Sequence, residues 1–445
     1  MGTKDLFGDA SGDVKTPKKR RDPQGEARLM RADRHQVRLL PVDLDGLLDA
    51  DHQARAIWRM VESLDLSKLE AAIRARGDNA GRPAIDPKIL LTLWLHGLSE
   101  GVGSARELNR LCEAHNAYRW ICGGVNVNYH ALSDFRVDHQ EALDDLMSQI
   151  LGVMVHNGLV DLTRVAHDGM KVRASAGAAS FRREKSLKKC LREASDHIRI
   201  VTRDAHDSEG RSRQDAAIER AAEEREERIQ EALKQLPEAR ASKLRRHGNT
   251  SNPDDVRVST TDPDARVMRM ADGGFRPAYN VQLTTAVTGR AIVAVRVSNS
   301  GADSRQLPPS LDEMHQRTGA LPQEVLADAA YGSKETIEDS ARRGITLFAP
   351  PKPAKRKGAD PYRPKPRDSA NVAAWRLRMA TPETKELYKQ RAAVAETVNA
   401  DLRTWRGLDQ IPVRGLSRAR SVALLAALTY NVLLLISKMT PTPDK

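Results

Sequence analysis

The sequence predicts an α/β fold, a mixed sheet flanked by helices, with an all-helical N-terminal region and a helical insertion. Three observations predict it. Helical periodicity runs through residues 30–157, and strand signals then alternate with helices over residues 158–437. Between the first strand and the rest lies a long charged stretch. A strand, a two-strand hairpin and further strands separated by helices combine into a sheet of mixed direction.

Composition narrows the class. The 445 residues carry 72 Lys+Arg against 60 Asp+Glu, a formal net charge of +12. A surplus of that sign suits a polyanionic partner, nucleic acid above all. Cys112, Cys122 and Cys190 are an odd number without a C-x-x-C pair, so neither a disulfide framework nor a zinc ribbon is supported, and a reducing cytosol fits. The first fifteen residues are charged where a secretion signal needs an apolar core. The most apolar run, Val422 to Ile436, contains Thr429 and Asn431 and is short for a bilayer. It reads as a buried core helix, and no membrane partner is expected.

The elements follow in order. Residues 1–29 are polar and without periodicity and read as a disordered tail. In residues 30–157, Ala54, Ile57, Val61 and Leu64 recur at helical spacing, and Pro87 opens a helix through Leu98. Gly101-Val102-Gly103 breaks the chain before Ser104 caps the next helix, and a long helix is predicted from Tyr129 to Val155. Short helices with glycine breaks fit a helix-turn-helix DNA-binding domain, though ordinary bundles look the same.

The second region, 158–437, opens on a short strand, Leu162 to His167, ending at Asp168. Residues 181–247 hold 18 Lys+Arg against 14 Asp+Glu and read as an exposed helical hairpin within an insertion spanning 181–261. Strands Tyr279–Val287 and Ala291–Ser298 form a hairpin around Thr288-Gly289-Arg290. A helix near Ser304–Arg317, a strand Glu324–Ala329 containing Asp328, a helix Lys334–Arg343 and a strand Thr346–Phe348 follow. The tract Pro350–Arg367, with seven basic residues and six prolines, cannot pack and is expected as an exposed basic loop. Helices Pro382–Arg406 and Ser417–Ser437 complete the chain before a tail, 438–445.

Three carboxylates stand out. Asp168 lies at a strand end in A-H-D-G, where a turn role is the bland alternative. Asp328 interrupts an apolar strand in V-L-A-D-A-A-Y-G, and a buried carboxylate needs a partner, a metal or a strand end. Glu396 sits on a helix, and Arg403 follows seven residues later, close to two turns, on one face with it. Tyr388 falls between Arg391 and Glu396 around that helix, so one face gathers a carboxylate, two guanidinium groups and a phenol. Such a face suits a metal-bound phosphodiester.

These residues resemble the bacterial insertion-sequence transposases of the DDE type, in particular the group with a Tyr-x-x-Arg-…-Glu-…-Lys/Arg signature. Tyr388, Arg391, Glu396 and Arg403 match it, with Arg403 where lysine is usual and four residues between Arg391 and Glu396. A-H-D-G at Asp168 and A-D-A-A-Y-G at Asp328 resemble the first two acidic motifs. G-R-P-A-I-D-P at Gly81, Y-R-W-I-C-G-G at Tyr118 and S-D-F-R at Ser133 are similar to N-terminal segments of the same family.

The resemblance covers roughly residues 30–437 and implies a ribonuclease H-like catalytic domain. It implies strand cleavage and strand transfer of an insertion sequence, with Asp168, Asp328 and Glu396 holding two Mg2+ or Mn2+ ions. Hard divalent ions take oxygen ligands, and two of them assist in-line displacement at phosphorus. DNA is the implied partner, as terminal inverted repeats and target, with a homo-oligomer when active in the cytoplasm near the nucleoid. Arg391 and Arg403 suit phosphate, with ion pairs to Glu396 or Asp401 as the alternative; Tyr388 suits a phosphate, a base or simple packing. Lys352, Arg356 and Lys357 suit backbone contact, with a solvated loop as the alternative. His167 reads as a strand residue rather than a ligand. A ribonuclease H-like nuclease without strand transfer, or an inactive DNA-binding derivative, are the competing functions.

Overall fold

The computed structural model describes residues 43–75, 83–207, 213–247, 252–354 and 359–439. The expected tail 1–29, Gly81, Arg356 and Lys357 lie outside the described residues.

Local chemistry sets the ends of the N-terminal helices α1 (Gln53–Glu62), α2 (Ser67–Ala71), α3 (Pro87–Ser99), α4 (Ala105–Ala114), α5 (Asn116–Cys122), α6 (Tyr129–Asp138) and α7 (Gln140–His156). Pro87 fills the first turn of α3, where Asp86 accepts the Lys88 N–H. Ser104 accepts the Glu107 N–H at the head of α4, and Asn128 accepts the Ala131 N–H at the head of α6. Each cap satisfies a donor that the first turn leaves without a partner. The long helix expected from Tyr129 is two helices, broken at His139.

The strand region begins with β1 (Asp161–Arg173) and β2 (Phe181–Arg182), and then the helices α8 (Glu184–Asp207), α9 (Arg213–Lys234) and α10 (Leu236–His247) intervene. β3 (Val258–Ser259), β4 (Arg266–Arg269), β5 (Phe275–Thr288), β6 (Ile292–Ser298), α11 (Leu307–Thr318), β7 (Glu324–Ala327), α12 (Lys334–Arg342) and β8 (Thr346–Phe348) follow. The chain closes with α13 (Ala370–Ala380), α14 (Pro382–Arg391), a π-turn (Ala392–Glu396), α15 (Thr397–Trp405) and α16 (Leu416–Met439). Neither β4 nor α13 was expected from periodicity.

The strands lie in the order β6, β5, β1, β7, β8, with β4 beside the first part of β5. β5 runs antiparallel to β1 and β6, whereas β7 and β8 run parallel to their neighbours. This is the mixed sheet of a ribonuclease H-like domain. The β5–β6 turn places Gly289 at φ 85° and Arg290 at φ 61°, the left-handed pair that a tight hairpin requires.

Two expectations change along these strands. β1 does not end at Asp168 but continues to Arg173, because β5 pairs with it along that length. β7 ends at Ala327, so Asp328 stands just beyond the strand, where its Oδ1 accepts the Ala330 N–H at 2.7 Å.

The main core joins sheet and N-terminal helices through α16, which packs on α3, α6, α7 and β6. By length and composition α16 is apolar enough to cross a bilayer, yet most of it is buried in this core. Asn431 binds both backbone groups of Ile292, donating to its oxygen at 2.8 Å and accepting from its N–H at 2.9 Å. The buried Arg317 ties α11 to α7 by pairing with Glu313 at 3.0 Å and with Asp144. The inserted helices keep a small core of their own around Leu187, Ala232, Leu236 and Val258.

Candidate active site

The sheet places two aspartates side by side. β1 and β7 pair in parallel with His167 opposite Ala327, so the next residues, Asp168 and Asp328, are neighbours on one face. Alternation sends His167 and Gly169 to the opposite face.

The helix after Pro382 covers the Asp168 face. Arg391 Nη2 lies 3.0 Å from Asp168 Oδ1, both side chains largely buried, and Asn399 Nδ2 donates to Asp168 Oδ2 at 3.0 Å. Tyr388 donates from its hydroxyl to the Ala327 carbonyl at 3.0 Å and so pins α14 to the end of β7. Burial pushes the Asp168 carboxyl up; Arg391 opposes that, and the nearby Asp328 adds to it. Two acids thus face one guanidinium, whose Nε is buried without a partner.

The opposite face carries a polar network that sequence reasoning missed. His167 is fully buried, with Nδ1 2.9 Å from Thr284 Oγ1 and Nε2 3.0 Å from Gln282 Oε1. Burial holds its pKa down to about 4, so it is a neutral strand residue. Tyr331 donates to Gln282 Oε1 at 2.6 Å, and Asp303 Oδ1 accepts from Lys171 at 2.8 Å, Asn280 at 2.8 Å and Gln282 at 2.9 Å. The signal was present in β5, where Asn280, Gln282 and Thr284 recur at every second position. Gly169 belongs to the same layer: a Cβ there would stand 2.1 Å from Gln282 Nε2. Glycine in A-H-D-G is required by that close approach.

The helical signature is divided. α14 and α15 are not one regular helix, because the π-turn widens the helix at Ala392–Glu396, a distortion that recurs at functional sites. Val394, Ala395, Val398 and Leu402 form the buried stripe on the sheet. Glu396 and Arg403 are exposed and, among the described residues, have no ion-pair partner. Arg391 binds Asp168 rather than Glu396, and Asp401 pairs with Arg406 at 2.9 Å rather than with Arg403. The structure therefore gathers Asp168, Asp328, Tyr388 and Arg391, and leaves Glu396 and Arg403 on the solvent side. Among the described residues no three His, Cys, Asp or Glu side chains come close enough to hold a metal ion. Lys352 is exposed in the loop after β8.

Comparison with known families decides the assignment. Residues 42–138 match a transposase domain (DUF772), and residues 253–432 match a transposase DDE domain. The chain belongs to the insertion-sequence transposases of the DDE type. The DDE match takes in Asp328 and Glu396 and begins beyond the inserted helices that separate them from Asp168. No curated protein and no solved structure matches the chain. Membership of this family makes it an enzyme of DNA transposition, with DNA as its partner, in a family that generally uses divalent metal ions.

Proposed function

We propose that this transposase cleaves DNA strands at the ends of its element and joins them to a target, with Asp168, Asp328 and Glu396 as the catalytic carboxylates. The observation that carries the reading is the parallel register of β1 and β7, which sets Asp168 beside Asp328 on the face covered by the signature helix. The donor set fits a hard divalent ion: two carboxylates share one guanidinium, so the pair is short of positive charge. Asp168 and Asp328 would hold Mg2+ or Mn2+, and Glu396, without an ion-pair partner among the described residues, would complete a two-ion site. Held there, such ions would supply activation of the attacking oxygen and stabilisation of the leaving one.

The chain's own residues do the rest. Arg391 neutralises Asp168 until DNA arrives and then has phosphate oxygens as alternative acceptors. Tyr388 holds the helix against the end of β7 and Asn399 holds it against β1, so the site is positioned before substrate binds. Arg403 and Lys352, exposed, and Arg356 and Lys357 act as phosphate contacts. The helices matched to the transposase domain bind the terminal inverted repeats, and the active form is a homo-oligomer working on DNA in the cytoplasm.

Incubation with a linear duplex carrying the element's end, plus a supercoiled target in Mg2+, tests this. Nicked ends together with joined products are expected. Cutting without joining reduces the reading to a nuclease, and no cutting by the wild-type chain overturns it.

A further inference from the structure

We propose that a pocket at the base of the inserted helices binds a phosphate group of the DNA backbone, which rests on the reading of the chain as a DNA-acting transposase. Arg225 and Arg228 of α9, Thr260 and Thr261 after β3, and Arg414 before α16 line it over Ile229. Arg225 and Arg228 are three residues apart and share a helix face. Arg414 comes from the loop leading into the core helix, so the three guanidinium groups converge from two separate parts of the fold.

Among the described residues, no carboxylate lines this pocket. Arg228 leans 3.4 Å from Glu224, one turn back on its own helix, and its Nε is buried without a partner. Arg225 and Arg414 are exposed and have no ion-pair partner among the described residues. Thr260 donates to the Ser180 carbonyl at 3.3 Å, while the Thr261 hydroxyl has no hydrogen-bond partner among the described residues. Three like charges brought together repel one another unless an anion joins them. The guanidinium fork matches a tetrahedral oxyanion, and the open rim formed by Arg225 and Arg414 admits a phosphate still attached to a duplex. The inserted helices would thereby hold DNA against the domain that carries Asp168.

The test compares the full-length wild type with Arg225→Gln/Arg414→Gln, using anisotropy of a fluorescent duplex across a salt series. Each phosphate contact contributes about 0.9 to the slope of log affinity against log salt, so the double variant should lose about one unit and bind about fivefold more weakly at moderate salt. Arg199→Gln, an exposed change on α8, should leave the slope unchanged. Circular dichroism checks folding, and if the double variant does not fold, Arg225→Gln alone on the exposed face of α9 carries the test. An unchanged slope overturns the proposal. Inorganic phosphate titrated by calorimetry separates the sources: binding lost in the variant while the duplex slope persists also overturns it, because the site then serves a free oxyanion. A wild type that cuts nothing yet shows the slope difference removes the catalytic reading and leaves this site standing.

Discussion

Arg391 reaches Asp168 at 3.0 Å, and this pair fastens the signature helix to the central strand. A guanidinium is thereby set on a carboxylate that neighbours a second carboxylate, Asp328. The arrangement reserves a place for positive charge.

Divalent ions should therefore stabilise the protein. Mg2+ at about a hundredfold excess over its dissociation constant contributes about 2.7 kcal/mol by mass action. The wild-type melting temperature should rise by about 2 °C or more, and a chelator should reverse the rise. Asp168→Asn/Asp328→Asn should show no Mg2+ response in the same thermal scan, and an equal response would place the ions elsewhere.

Glu396→Gln separates chemistry from folding. Its side chain is exposed and without an ion-pair partner among the described residues, so stability should change by less than about 0.5 kcal/mol. DNA binding should persist, while cleavage in Mg2+ should fall by roughly two orders of magnitude. Glu386→Gln, which removes only an exposed pair with Lys389, is the control. If the Glu396 variant cuts at the wild-type rate, another acid such as Glu383 supplies the third ligand.

Gly169→Ala should damage the site from behind. The added methyl would meet Gln282 Nε2 at 2.1 Å and Asp303 Oδ1 at 3.0 Å, displacing a buried polar layer. Overpacking of this kind costs about 1–3 kcal/mol, read as a lower midpoint in urea. Unaltered stability would mean that the layer rearranges freely.

The pair of cations on Asp368 supplies a pH test. Burial raises this carboxyl, but Lys334 at 2.9 Å and Arg376 at 2.7 Å hold its pKa down at about 2. A depressed carboxylate contributes stability that is fully present above the ordinary carboxylate pKa and lost as pH falls through the folded value. Asp368→Asn should thus be less stable than wild type near neutrality, by about 2 kcal/mol, with the gap closing as pH falls toward 2. A gap independent of pH would show that packing, not charge, is what Asp368 contributes.

Local pattern was enough to place most elements. The helix start at Pro87, the cap at Ser104, the hairpin around Gly289 and the apolar run of α16 each depend on residues within a few positions of one another, and so are readable in a single chain. The mixed sheet followed from the order of those elements. The alternating Asn280, Gln282 and Thr284 were equally visible, but their meaning was not, because their partners His167, Asp303 and Tyr331 arrive from other segments. Only the tertiary structure decided which charges meet. Periodicity describes the faces of one helix and left Arg391 a phosphate contact or an ion pair with Glu396 or Asp401; a strand more than two hundred residues earlier offers Asp168 instead. The π-turn was hidden for the same reason, since a regular helix and a widened one can carry the same sequence pattern, and packing on β1 and β5 selects between them. Sequence spacing sets what can lie on one face, whereas the identity of the neighbour across that face is set by the parallel register of β1 with β7 and by the helix that covers it.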